Sequence, residues 1–206
     1  MTEKNPHMPE LLDAPERAER PGDPLEEKTI ESKRLFDSDF LKLDCETVLL
    51  PGGEVSKRYM LPHCGAAGMV VLDEDGTVVL ERQWRHPCKQ AFWEIPAGKI
   101  DEREEPIACA RRELVEECGI HAERWNRLGT IRNAIGYSNE RIVIYLAQGL
   151  TYGERHLDPG EYLEVRRVPL GTALRMCDEG LITDCKTLVG LYWLDRYLKG
   201  EKKTEP

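Results

Sequence analysis

Between Gly98 and Ile120 the chain reads GKIDEREEPIACARRELVEECGI, and this stretch constrains the fold more than any other. After Glu105 the apolar residues Ile107, Ala110, Leu114 and Cys118 recur at helical spacings, and Gly119 supplies a stop. Glu113, Glu116 and Glu117 are also three and four apart and are expected to cluster opposite that apolar stripe. Like charges held this close repel one another. A hard cation such as Mg²⁺ resolves the conflict, because it prefers carboxylate oxygens and keeps positions open for water and phosphate. A solvated acidic face, partly neutralised by Arg111 and Arg112, is the alternative that the three acids leave open.

Around this helix the texture is that of strands. Short apolar runs cover Phe40 to Leu43, Val48 to Leu50, Gly68 to Leu72, Val78 to Leu80 and Ala91 to Ile95. Asp73-Glu74-Asp75-Gly76 reads as a hairpin turn, and Pro96-Ala97-Gly98 ends the last run. Further strands are expected near Trp125 to Arg132, Arg141 to Ala147 and Tyr162 to Val168. Two helices follow, from about Thr172 to Glu179 and from about Asp184 to Leu198. One helix among strands with helices at the end predicts an α+β fold, an α/β/α sandwich around a mixed sheet.

Residues 1–35, rich in proline and charge, read as a flexible tail. Residues 36–200 form the expected domain, with N-terminal strands at 36–60, and 201–206 form a C-terminal tail. The formal charge of −9 argues against a nucleic-acid partner, which needs a basic footprint. The seven cysteines include no C-x-x-C pair, and no run approaches the length of a membrane span. No secretory leader is evident either, so a cytoplasmic protein with no membrane partner is expected.

The 23-residue stretch resembles the Nudix box. Its Gly, Glu, Arg-Glu, aliphatic, Glu-Glu, Gly and aliphatic positions are met by Gly98, Glu104, Arg112, Glu113, Leu114, Glu116, Glu117, Gly119 and Ile120. With each specified residue at about 5–7%, chance agreement is on the order of one in 10⁹ per starting position. The resemblance implies the Nudix fold with additional N-terminal β-strands, and hydrolysis of a nucleoside diphosphate linked to another group. It makes Glu113, Glu116, Glu117 and the Ala97 carbonyl the metal ligands, with Arg112 orienting the glutamates and Glu104 supporting the loop. Mg²⁺ is the implied cofactor, with Mn²⁺ as a substitute.

The runs HCGAAGMVVL, ERQWRHP, FWEIPAGKID and EGLITDCKTLVGLYWL are similar to the ADP-ribose pyrophosphatase group. That likeness implies a homodimer whose N-terminal strands, from about Leu35 to Tyr59, complete the partner's site. It also implies a small-molecule nucleotide-sugar substrate and a substrate contact at Arg85. Glu94 either holds a substrate or metal-site group or pairs with an arginine, and Tyr137, Trp84 and Trp93 are candidates to stack on a base. Glu161, after the turn Asp158-Pro159-Gly160, is the implied general base, with Glu164 as its alternative and Glu116 the candidate within the box.

Ile135 stands where the group has a proline, a departure that supports nucleotide-sugar hydrolysis in general over ADP-ribose in particular. Competing readings are a Nudix hydrolase of GDP-mannose or a dinucleotide, and a Nudix-like module that senses its ligand without cleaving it. His86 and His121 read as surface residues, and Cys109 and Cys118 as packing residues.

Overall fold

The computed structural model describes residues 22–204. Strands β1 (Lys28–Asp37), β2 (Lys42–Leu49) and β3 (Val55–Met60) form one antiparallel sheet in that order. Next come β4 (Ala66–Val71), β5 (Thr77–Arg85), a 3-10 turn at His86–Cys88, β6 (Gln90–Glu94), β7 (Ala97–Lys99) and helix α1 (Pro106–Cys118). The chain continues through β8 (Ile120–Ile131), β9 (Ile142–Tyr152), β10 (Leu163–Pro169), α2 (Leu170–Asp178) and α3 (Cys185–Leu198). A second sheet runs β10-β5-β6 and a third β7-β4-β9-β8, the latter mixed because β4 and β9 are parallel.

β4 organises the layers. Its six residues are all buried, and its alternation sends Ala67, Met69 and Val71 to one side, Ala66, Val70 and Leu72 with the following turn to the other. The first set meets Cys109, Ala110 and Leu114 of α1. The second meets Ala173 of α2 and Leu191 and Leu194 of α3. The result is the expected α/β/α sandwich with a mixed sheet. Full burial of a side chain such as Leu114 contributes about 2 kcal/mol.

Two expectations need correction. Lys28 to Leu35, read as the end of a flexible tail, belong to β1, so ordered structure begins before residue 36. Every residue of β1 is exposed, and backbone pairing with β2, reinforced by the Arg34–Asp44 ion pair, orders it in place of burial. The earlier part of that tail, residues 1–21, lies outside the described residues. The second is an omission: β6 ends at Glu94, before Pro96-Ala97-Gly98 as expected, but Ala97–Lys99 then form a further strand, β7, paired with Ala66–Gly68 of β4. Among the described residues no helix is long and apolar enough to cross a membrane.

Candidate active site

Helix α1 starts at Pro106, whose missing N–H costs nothing in a first turn, and stops at Gly119 in the left-handed region with φ of 67°. A Cβ on Gly119 would stand 2.6 Å from the Gly153 carbonyl oxygen, so the turn needs glycine for space as well as for φ. Gly98 has a different reason. A Cβ there would lie 1.8 Å from Glu113 Cδ, because the Glu113 side chain crosses directly over the β7 backbone.

Arg112 organises the loop and the helix together. Its Nε and Nη2 grip Glu104 at 3.0 and 2.9 Å, Nη2 also reaches the Lys99 carbonyl at 3.2 Å, and Nη1 donates to Glu113 at 2.8 Å and Glu116 at 3.0 Å. Glu104 in turn accepts from the Asp101 N–H at 3.0 Å, and the Arg112 hydrogen bonds push its carboxyl down to about 2. Among the described residues, the Arg112 guanidinium is the cation in ion-pair contact with Glu104, Glu113 and Glu116.

Glu117 corrects the expected placement. It was expected opposite the apolar stripe, yet Ala110, Leu114 and Glu117 are i, i+4 and i+7, one face, and Glu117 is buried beside them. Its carboxylate accepts from the Ala97 N–H at 3.2 Å. Burial, with the negative charges of Glu81, Glu113 and Glu161, holds its pKa well above the ordinary carboxylate range. Glu113 is raised too, first by burial and then by Glu116 and Glu161 against the opposing pull of Arg112.

Glu81 joins this cluster and was not singled out from sequence. It is buried on β5, accepts from Cys118 Sγ at 3.1 Å, and burial with the charges of Glu161 and Glu94 pushes it up to about 7. A signal was present: a strand alternation places Glu81 on the face of the buried Val79, where a carboxylate requires a partner. Glu161 approaches the same acids from the loop before β10, with its carboxylate 3.5 Å from Gln83 Nε2.

Its alternative, Glu164, pairs with Arg82 and Arg166 at 3.5 and 3.0 Å. Arg82 is one residue along β5 from Glu81 and so faces the other side of the sheet. Geometry thus separates the two candidate bases.

The remaining candidates divide. Arg85 and Glu94 meet in a bidentate ion pair, the arginine-partner alternative for Glu94. Tyr137 is exposed and lines a separate open cavity of about 760 Å³ with Phe40, Leu41 and His63. Trp93 packs against the core, whereas Trp84 is exposed. His86 contacts Lys89, and His121 is exposed on β8. Burial raises both Cys109, to about 12, and Cys118, which fits packing thiols.

A divalent cation fits the donor chemistry here: oxygen ligands are in excess, and Glu81, Glu113 and Glu117 are held above the ordinary carboxylate range first by burial and then by neighbouring carboxylates, with Lys186 pulling against this at Glu81 and Arg112 at Glu113. Among the described residues, however, no three acid, histidine or cysteine side chains already converge as a ligand set. Arg112 clasps Glu113 and Glu116 while Glu117 turns to the Ala97 amide, which accounts for the separation.

Comparison with known proteins follows the same lines. A NUDIX domain family model matches residues 62–182. The chain is 35% identical to the ADP-ribose pyrophosphatase of Bacillus subtilis (strain 168) over 172 residues, 82% of this chain and 93% of that protein. It is 31% identical to the ADP-ribose pyrophosphatase of Mycobacterium tuberculosis over 183 residues, 87% and 88% of the two chains. In fold it is similar to a crystal structure of an ADP compounds hydrolase, with a TM-score of 0.75 at 19% identity over 85% of this chain and 96% of that one.

Proposed function

The chain belongs to the NUDIX domain family, and from that membership we propose that it hydrolyses the diphosphate bond of ADP-ribose or a related nucleotide sugar, giving a nucleoside monophosphate and a sugar phosphate. The observation that carries the reading is the carboxylate cluster around an intact box, in which Glu113 and Glu161 neighbour the buried Glu81 and Glu117. The likeness to two ADP-ribose pyrophosphatases over most of their length supports the substrate class.

Glu113, Glu116, Glu117 and the Ala97 carbonyl would hold Mg²⁺, or Mn²⁺ in its place. Bound there, such a cation neutralises diphosphate charge and lowers the pKa of the attacking water. The chain's own groups do the rest. Arg112 fixes the directions of Glu113 and Glu116, Glu104 fixes Arg112, and Gly98 lets Glu113 lie flat on β7. Arg85, half-exposed beside the acids, supplies a planar guanidinium for a phosphate, with Glu94 as its anchor. Glu161 accepts the proton of the attacking water at its carboxylate, from a loop that the Asp158-Pro159-Gly160 turn leaves able to close.

A homodimer is supported by the β1-β2-β3 sheet, which exposes Ile30, Leu35, Phe36, Val55 and Tyr59. The seven free thiols support a cytoplasmic location. Product analysis with ADP-ribose, GDP-mannose and a dinucleotide, each with Mg²⁺ and with EDTA, tests the reading. It expects a nucleoside monophosphate and a sugar phosphate in equal amounts, and only with the metal; no cleavage across the panel overturns it.

A further inference from the structure

Glu94 sits between two cations. Arg85 grips it through Nε to Oε1 at 2.6 Å and Nη2 to Oε2 at 2.7 Å, and Lys186 Nζ donates to the same Oε2 from the other side. Lys186 also donates to Asp184 Oδ2 at 3.1 Å. That oxygen accepts from the Thr187 amide at 3.0 Å and the Thr187 hydroxyl at 2.6 Å, which caps α3. The network returns to the strand where the Ile95 N–H donates to Thr187 Oγ1 at 2.8 Å. The first turn of α3 is thereby tied to the end of β6, immediately before Pro96-Ala97-Gly98.

Two cations and two anions balance formally, but they are not equally placed. The Glu94 and Lys186 side chains keep 5% and 10% of their exposure, while Arg85 keeps 44%. These groups line a cavity of about 280 Å³. Burial disfavours a charged Lys186, and Asp184 and Glu94 outweigh it and keep the lysine protonated. The Asp184 charge also faces the N–H groups at the start of α3, which answer part of it. Of the four, Arg85 is the cation that a solute can reach.

Resting on the diphosphate reading above, we propose that Lys186 is a positioning residue: it offsets part of the Glu94 charge from the buried side and so leaves more of the Arg85 charge uncompensated toward the substrate's diphosphate. Without the lysine charge the cluster becomes formally −1, and its exposed arginine is claimed wholly by Glu94. At this short range, with Glu94 and Lys186 largely shielded from water, that difference weakens anion binding at Arg85. The chemistry of the water attack, which lies at the carboxylates of α1 and Glu161, is left largely alone.

Lys186→Gln keeps two N–H donors and removes the charge. The expected result is a KM for ADP-ribose raised about tenfold with kcat within about threefold, and a KM restored to within about threefold by Lys186→Arg. In an Arg85→Gln background, Lys186→Gln is expected to add less than about threefold, because its effect runs through Arg85. Asp184→Asn retains the cap, shifts the charge the other way and is expected to lower KM about threefold, so the idea stays testable even if the lysine variant does not fold. An unchanged KM in folded Lys186→Gln, full additivity with Arg85→Gln, or a raised KM in Asp184→Asn would overturn the assignment. Titrating ADP calorimetrically with EDTA present reads the same cycle as Kd, without turnover. An inactive wild-type protein therefore counts against the proposed reaction, and an unaltered ADP affinity in Lys186→Gln counts against the role of Lys186.

Discussion

The Glu113 carboxylate lies so close over Gly98 that a Cβ at that glycine would stand 1.8 Å from Glu113 Cδ. Glycine is therefore required here by its neighbour. Its conformation is not the reason, since Gly98 lies in a short strand with ordinary φ. The clash partner is the far end of a side chain, which can swing away at small energetic cost. Gly98→Ala is accordingly expected to fold, with Tm within a few degrees of wild type, while displacing Glu113 and lowering kcat about 10²-fold. Circular dichroism melts with steady-state kinetics check this, and an alanine variant with wild-type kcat would show that Glu113 need not lie where it does.

Separation of Glu161 from Glu164 by the plane of the β10-β5-β6 sheet gives a second expectation. Glu161→Gln should lower kcat by about 10²–10⁴-fold with KM nearly unchanged, since a base acts in the transition state. Glu164→Gln, which only disturbs exposed pairs with Arg82 and Arg166, should stay within about threefold of wild type. The reverse pattern of losses would move the base to the other face.

Acid stability tests the Arg112 clasp. Its hydrogen bonds hold Glu104 down to about 2, from an ordinary 4.5. A carboxyl depressed in this way adds stability at pH above about 4.5, and that contribution is lost as pH falls through about 2. Urea unfolding of wild type against Glu104→Gln should show a gap that is constant above pH 5 and narrows steadily toward pH 2. A gap independent of pH would mean that the Glu104–Arg112 contact carries no charge-linked stability.

Assembly is tested by truncation. Removing residues 1–25 leaves β1 intact and should be mild, whereas removing the chain through Leu50 deletes β1 and β2 and should abolish dimerisation and activity together. Multi-angle light scattering showing an active full-length monomer would contradict the dimer.

How far the sequence could be read followed burial. β4 and β5 were legible as continuous buried apolar runs, α1 by the helical period of the face it buries, and α3 was read from about Asp184 to Leu198, close to its bounds Cys185–Leu198. β1 was not, since KTIESKRLFD is exposed along its whole length and carries no burial pattern, and β3, VSKRYM, was expected through the resemblance and not through an apolar run of its own. Among site residues, Glu113 and Glu116 announced themselves by spacing, and Arg112 and Glu104 by the resemblance to the Nudix box. Glu81 and Lys186 did not, because each is a charged residue buried by tertiary contacts that bring strand β5 and helix α3 to the end of β6. Glu117 was found by motif and misplaced by pattern, as a carboxylate on a buried helix face contradicts the polar-outside rule that locates most acids.

The most direct test of the central claim, that the buried carboxylates form a metal site driving diphosphate hydrolysis, is turnover of Glu117→Gln on ADP-ribose across a Mg²⁺ titration. The variant keeps the side chain's size and its acceptor for the Ala97 amide, so the fold should persist by circular dichroism. Turnover is predicted to fall at least about 10²-fold and to stay low at Mg²⁺ concentrations that saturate the wild type. Near-wild-type turnover of the folded variant at saturating Mg²⁺ would contradict the account.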